Sequence, residues 1–507
     1  MSNNYMNSNS DIPEDAIESL FPLQLHYYTL LKDIVISKGF SKQLYTDSDS
    51  VMEIIKICIT ELTEMFELWC EQNFKSPKDI GQILWLYSLY ERDVNYKIIK
   101  LSEPVILALY TCRYILAIAP KLKLSKNSEE FFKTRDVCLP ELFSISNCLG
   151  ILSQFRAVEG LSSTPAVQID LTKSFLDIKY LSPELNSQLQ KSKSKGEKII
   201  SPQFIDYSYI RDCKVLFIDV FGDAAESIFD VIDQSQPDQD QIIPKDFTPY
   251  LQLYGKSIFA QELILTRDSV NLFNVITKPH LTGHRTRFRP LIELTIDGSP
   301  FLVSTKWVLF EAFAEIIKNR LPFHGLPNSW LKNKKIREFA DSINNEVGVK
   351  FEKEVAKRIA SKFPFKYDVK SIGDTSIEDF PILENGVPTG RKVGQIDFII
   401  INRDKKIIFI ADAKYLKSKY ITASFFNDKS KFDEYYKKLQ DKLSWAKNNK
   451  SLISELFGFN VNNYVVKELF ITDAYIFYSL FVPYPIIPVI AINDYISTSN
   501  RYCYIGH

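Results

Sequence analysis

The sequence predicts a multidomain protein of the α plus α/β class: a helical amino-terminal region, a mixed α+β middle region and a carboxy-terminal α/β domain with a central mixed sheet flanked by helices. Three observations carry this prediction. A chain of 507 residues exceeds what one ordinary core accommodates. Apolar residues recur at helical spacing through the first third, whereas residues 397–414 read as two apolar strands joined by a polar turn. A composition of 45% hydrophobic and 24% charged residues is that of a folded globular protein. The expected division is a disordered polar tail (1–12), a helical domain (13–190), a mixed α+β domain (200–340) and a carboxy-terminal domain (341–507).

In the helical region, "VMEIIKICITELTEMFELWCEQNF" places Ile54, Ile55, Cys58, Ile59, Leu62, Met65 and Phe66 on one stripe, the i, i+3, i+4 spacing of an amphipathic helix. "IGQILWLYSLYERDV" and "EPVILALYTCRYILAIAP" repeat the pattern. Stripes of this kind form the core of a helical bundle; docking of a protein partner or a second copy of the chain is their other use.

The formal net charge is zero, which excludes a uniformly basic coat and leaves nucleic-acid binding to local patches. The seven cysteines are scattered without a CxxC pair, the pattern of reduced, buried thiols in a cytoplasm rather than disulfides or a zinc site. The first residues, "MSNNYMNSNSD", lack the basic and apolar segments of a signal peptide. "YIFYSLFVPYPIIPVIAI" is apolar, but Pro483, Pro485 and Pro488 interrupt it, so it reads as two buried strands joined by a proline-rich turn and not as a membrane span.

Lys191 to Lys198, "KSKSKGEK", has the composition of a linker. "CKVLFIDVFGDAAESIFDVID" reads as a strand, a turn at Gly222 and a helix; Asp219 and Asp223 flank the turn, where capping and solvation account for them. "HRTRFRPLIELTIDGSPFLVSTKWV" reads as a hairpin turning at Asp297-Gly298. His284, Arg285, Arg287 and Arg289 precede it. The three arginines alternate, so an extended chain would put them on one face, as a phosphate-binding ridge or as an ion-paired surface.

The stretch richest in chemistry is "DFIIINRDKKIIFIADAKY", Asp397 to Tyr415. With Asn402-Arg403-Asp404-Lys405 as the turn, Asp397 falls opposite a residue between Ile410 and Asp412, and directly opposite residues share a face. Asp412 and Lys414 share a face because strand side chains alternate. A slip of one residue would send the two acids to opposite faces. Both faces are otherwise apolar, so the hairpin belongs in a sheet covered on both sides. Two carboxylates at one end of such a sheet repel, and a hard divalent cation, Mg2+ or Mn2+, relieves them. A cation there polarises a phosphate and acidifies water, with Lys414 placed to orient that water or neutralise developing charge.

The order of first acid, hairpin and Asp-x-Lys resembles the PD-(D/E)xK, or restriction-endonuclease-like, nuclease superfamily. Asp397 matches the first acid, and Asp412 and Lys414 match the (D/E)xK element. Many members carry a glutamate on a preceding helix within G-x-x-F-E, and here "GVKFEKEVAKRIASKF" offers Gly348, Phe351 and Glu352. The stripe Val347, Phe351, Val355, Ile359 and Phe363 would face the sheet and leave Glu352 free to reach its edge. In the following helix, "SKFDEYYKKLQDKLSWAKNN", Gln440 stands roughly where relatives carry a glutamine or another polar residue. Lys417, Lys419, Lys429, Lys431, Lys437 and Lys438 add the positive charge that a phosphate backbone requires. No proline precedes Asp397, and Gln395 stands where many relatives have glutamate. The resemblance covers about residues 345–495.

It implies a metal-dependent nuclease that hydrolyses phosphodiester bonds, with DNA as the expected substrate and prokaryotic defence or a mobile element as the setting. Asp397 and Asp412, with the Ala413 carbonyl and Glu352, are the expected ligands of Mg2+ or Mn2+; Glu352, Asp397, Asp412, Lys414 and Gln440 are the expected catalytic set. The alternatives are a catalytically inactive nuclease-fold module that binds nucleic acid or protein, and a nuclease subunit that needs a partner for target recognition.

Overall fold

The computed structural model describes residues 20–95, 103–129, 139–183, 185–187, 207–222, 225–226, 229–230, 260–278, 286–323, 325–384, 387–416 and 426–500. Several features singled out in the sequence lie outside the described residues: the tail 1–12, Lys191–Lys198, Asp223, His284, Arg285, Lys417, Lys419, Cys138 and Cys503. The chain divides into two units. One comprises Met1–Glu159, Thr164–Leu181 and Tyr207–Phe339; the other comprises Gly160–Ser163, Ser182–Asp206 and Ala340–His507.

The first unit holds the expected helices Phe21–Ser37, Ser48–Asn73, Pro77–Asn95 and Glu103–Ile118, and Pro140–Leu161 up to Glu159. Asp47 caps the second of these by accepting the Ser50 amide at 2.8 Å, and Ile54, Ile55, Cys58, Ile59, Leu62 and Phe66 of its stripe are fully buried. The hairpin Leu291–Ile296 and Ser299–Val303 turns at Asp297-Gly298, whose φ values of 48° and 79° are those of a tight two-residue turn. Ile292, Leu294 and Ile296 alternate into the same core as the helical stripes. The helical and mixed regions, expected as separate domains, therefore share one core, because a strand with one apolar face needs a cover and the helices supply it. Cys58, Cys70, Cys112, Cys148 and Cys213 are buried thiols.

Three local expectations are corrected. Ile210–Phe221 is a helix, not a strand leading into a turn: Cys213, Phe217, Val220 and Phe221 are its buried face, and Gly222 ends it with φ 64°. A short apolar run is ambiguous between strand and helix, and here the i, i+4, i+7, i+8 spacing prevails. Asp219 pairs with Lys335 at 2.6 Å on the surface. Thr286 to Phe288 form a turn rather than an extended segment. Arg287 pairs with Glu311 at 2.5 Å and Arg289 with Glu262 at 3.4 Å, so these two arginines face protein carboxylates and form no phosphate-binding ridge. Finally, the proline-rich segment contributes one strand, Ile486–Pro488, between two short 3-10 turns, Phe477–Leu480 and Val489–Ala491.

The second unit, whose boundary falls beside the expected residue 341, contains α1 (Lys334–Ala360, begun in the first unit), β1 (Phe365–Val369), β2 (Ile396–Asn402), β3 (Ile407–Lys414), α2 (Phe426–Asn448), β4 (Val465–Thr472), β5 (Ile486–Pro488) and α3 (Ile492–Thr498). Its sheet has the order β5-β4-β3-β2-β1. The β1–β2 and β2–β3 pairs are antiparallel, whereas β3–β4 and β4–β5 are parallel, giving a mixed sheet. β3 is buried over almost its whole length, as its unbroken apolar run requires. One face packs against Phe351, Val355 and Ile359 of α1 and Ile492, Tyr495 and Ile496 of α3, through Phe398, Ile400, Phe409 and Ala411. The other face meets α2, where Phe432 stands edge-on to Phe470 at 5.3 Å.

Among the described residues, no helix is long and apolar enough to cross a membrane.

Candidate active site

The β2–β3 hairpin fixes the site. Its register pairs Phe398 with Ala411 and Ile399 with Ile410, so one further step sets Asp397 opposite Asp412. Both acids then point to the face covered by α2, since their strand-mates Ile399 and Ile410 do. Lys414 lies on the same face. Its Nζ is 3.3 Å from Asp412 Oδ2 and 3.5 Å from Asp397 Oδ2. The Ala413 amide donates to Asp397 Oδ2 at 3.0 Å, tying the first acid to the backbone of the second strand.

Burial raises the pKa of Asp397, and the charge of Asp412 adds to it, against the opposing pull of Lys414, another lysine on α2 and the Ala413 amide. Burial pushes Asp412 the same way, but the two lysines outweigh it and the net direction is down. The pair therefore carries its negative charge unequally, with Asp412 the firmer anion. Burial alone would lower Lys414, yet the two acids overcome it and hold the ammonium charged.

Glu352 approaches from the other layer. Its helix α1 covers the opposite face of the sheet, and the preceding Phe351 meets Tyr415 at 5.7 Å, which sets this turn of α1 beside the end of β3. Burial and the charge of Asp397 push the Glu352 carboxyl up to about 7. Among the described residues, no three His, Cys, Asp or Glu side chains converge at metal-holding spacing, so the close group is the carboxylate pair with its lysines and Glu352 stands outside it.

The fourth member of that close group is a residue that sequence reasoning missed. Lys442 of α2 places Nζ 2.5 Å from Asp412 Oδ1 and 3.6 Å from Asp397 Oδ1, and its side chain is only 9% exposed. Gln440, the polar residue expected on this helix, is two positions away and thus about 200° around it, so the same turn cannot direct both side chains at the acids. A signal for Lys442 did exist. It falls between Leu439 and Leu443 and Ala446, the buried stripe of α2, where a lysine needs a partner.

Two further side chains support the cluster. Lys414 Nζ lies 5.4 Å from the ring centre of Tyr435, which stands about two turns before Lys442 on the same face of α2. Asp473, buried just beyond β4, accepts the Leu416 amide at 2.8 Å and so fixes the chain as it leaves Lys414. Of the basic residues expected nearby, Lys437 and Lys438 are exposed, and Lys438 pairs with Glu434 at 2.8 Å.

The donor chemistry suits a hard divalent cation. Asp397 and Asp412 face each other as hard oxygen donors, with Lys414 and Lys442 balancing their charge, and a third carboxyl, Glu352, lies near enough for Asp397 to push it up. No family model matches the chain, nor does any curated protein or solved structure.

Proposed function

We propose that residues 340–507 form a restriction-endonuclease-like domain that hydrolyses phosphodiester bonds with Mg2+ or Mn2+, DNA being the substrate. The observation that carries this reading is the cross-strand pair Asp397 and Asp412 with Lys414 against both carboxylates. The mixed sheet covered by helices on both faces supports the same reading.

In this proposal Asp397 and Asp412 hold the cation, with the Ala413 carbonyl within the same strand end. When bound, the cation supplies charge to the scissile phosphate and acidity to water. Lys414, held charged by the two acids, orients the attacking water and neutralises charge that develops on the phosphate oxygens. Glu352, with a pKa of about 7, exchanges a proton near neutral pH and adds a carboxylate to the site when ionised. The first unit then selects the substrate or engages a partner, in the manner of prokaryotic defence or mobile-element nucleases.

A second reading is favoured by one observation. Lys414 and Lys442 balance Asp397 and Asp412 without any ion, as a non-cutting platform for nucleic acid or protein would allow. Incubating the protein with plasmid, linear DNA and RNA, in Mg2+ and in EDTA, separates the two. Metal-dependent cleavage that Asp412→Ala abolishes and Lys414→Ala lowers by about 10²–10³-fold supports the nuclease. Binding without cleavage, unchanged by either substitution, assigns the platform. Cleavage that appears only with an added partner protein makes the chain one subunit of a larger nuclease.

A further inference from the structure

Each of the four carboxylate oxygens of Asp397 and Asp412 has an ammonium partner, and the division is regular. Lys414 takes the Oδ2 atoms at 3.5 and 3.3 Å, and Lys442 takes the Oδ1 atoms at 3.6 and 2.5 Å. The two lysines come from different places. Lys414 shares a strand with Asp412, so the sheet itself holds it beside the acids. Lys442 reaches them from α2, on an unbranched stem with four rotatable bonds, buried between Leu439 and Leu443.

We propose that Lys442 is a resident counter-ion of the carboxylate pair, which a divalent cation displaces in order to bind. This inference rests on the metal-dependent reading of the pair and deepens it. An ammonium within 4 Å of both acids occupies the charge-compensating position between them, and a divalent ion in the same place repels it. Loading is therefore an exchange of one cation for another. The competent state, with Lys442 turned away, is the minor one until metal is present, and apparent metal affinity is reduced by that fraction. Lys442 also answers a need of the folded protein itself, because two facing buried carboxylates with one lysine would keep a net negative charge.

The exchange makes opposite predictions for metal affinity and for metal-free stability, which a purely structural lysine does not. The test uses the full chain as wild type, Lys442→Met, Lys442→Gln and Asp412→Asn. Mn2+ binding is followed by the electron paramagnetic resonance signal of the free ion, and the thermal midpoint is read in EDTA and in Mn2+. We expect Lys442→Met and Lys442→Gln to bind Mn2+ about ten-fold or more tightly than wild type. Both should melt lower than wild type in EDTA and regain the difference in Mn2+, and Asp412→Asn should lose binding. The glutamine variant keeps a donor toward Asp412 without charge, and serves if the methionine variant does not fold. Equal or weaker Mn2+ binding by the Lys442 variants, alongside binding by wild type, overturns the exchange and leaves the metal-dependent reading standing. Absence of Mn2+ binding in every protein, wild type included, overturns both.

Discussion

Asp397 accepts the Ala413 amide at 3.0 Å, so the first acid is fixed to the backbone between Asp412 and Lys414. Its carboxylate thus has two separable roles, as an acceptor that locks the hairpin end and as a negative charge. Asp397→Asn keeps an acceptor oxygen for that amide, and Asp397→Ala removes it. We expect Asp397→Ala to lose about 1–3 kcal/mol in urea denaturation with EDTA, because the amide is left without its acceptor, and Asp397→Asn to lose less. Both should lose metal-dependent cleavage. Equal stabilities for the two variants would remove the hydrogen bond from this account.

Glu352 gives a pH dependence of known sign. Its carboxyl moves from an ordinary 4.5 to about 7, mainly through burial and then through Asp397. Between those two values the folded protein binds more protons at this site than the unfolded chain. Its contribution to stability therefore falls as pH rises from 4.5 to 7 and is level above that. Measured in EDTA, the difference in stability between wild type and Glu352→Gln should shift across this window in the variant's favour as pH increases. A difference that is flat with pH would place Glu352 in solvent-like surroundings.

Lys414 and Tyr435 form a graded pair. Lys414→Ala should reduce cleavage by about 10²–10³-fold, the range for removal of one charge-stabilising group. The ring of Tyr435 lies 5.4 Å from the ammonium, so Tyr435→Phe should stay near wild type. Tyr435→Leu should lose a few-fold to about 30-fold, matching a cation–π contact of roughly 0.5–2 kcal/mol. Steady-state cleavage of a short labelled duplex reads all three. A phenylalanine variant as impaired as leucine would shift the role from the ring to the hydroxyl.

In the first unit, Glu311 is the hub of a buried charge network. It accepts from Tyr87, from Arg113 at 3.2 Å and from Arg287 at 2.5 Å. Burial would raise its pKa, but Arg287 and Arg113 outweigh that and lower it. Glu311→Ala leaves two half-buried guanidinium groups short of a partner and should cost about 3–5 kcal/mol in urea unfolding. A loss below about 1 kcal/mol would mean that Glu91 and Glu315 compensate for it.

Much of the second unit was legible because its signals are local. The turn at Asn402 to Lys405 and the alternation around it confined the Asp397 partner to three residues, and the observed register takes Asp412. Of the α1 stripe Val347, Phe351, Val355, Ile359 and Phe363, the first four are buried, whereas Phe363 lies past the helix end and packs half-buried against the same core. Where a signal is short or symmetric, sequence reasoning failed. Ile210–Phe221 carries a short apolar run that fits strand or helix, and burial of its i, i+4, i+7, i+8 set, Cys213, Phe217, Val220 and Phe221, goes with the helix.

Sequence alone determined the two strands of the Asp397–Lys414 hairpin, that its two acids share one end and that Lys414 accompanies them, since period and turn chemistry act over a few residues. Tertiary structure decided what stands across from those acids. Lys442 and Gln440 are both polar residues on one amphipathic helix, and although Lys442 falls on its apolar stripe, the sequence does not say what that stripe meets. The angle at which α2 lies on the sheet sends Lys442 to the carboxylates. Arg287 was likewise readable as a cation but not as the partner of Glu311, because long-range pairing depends on how separate elements pack and leaves no periodic trace in the chain.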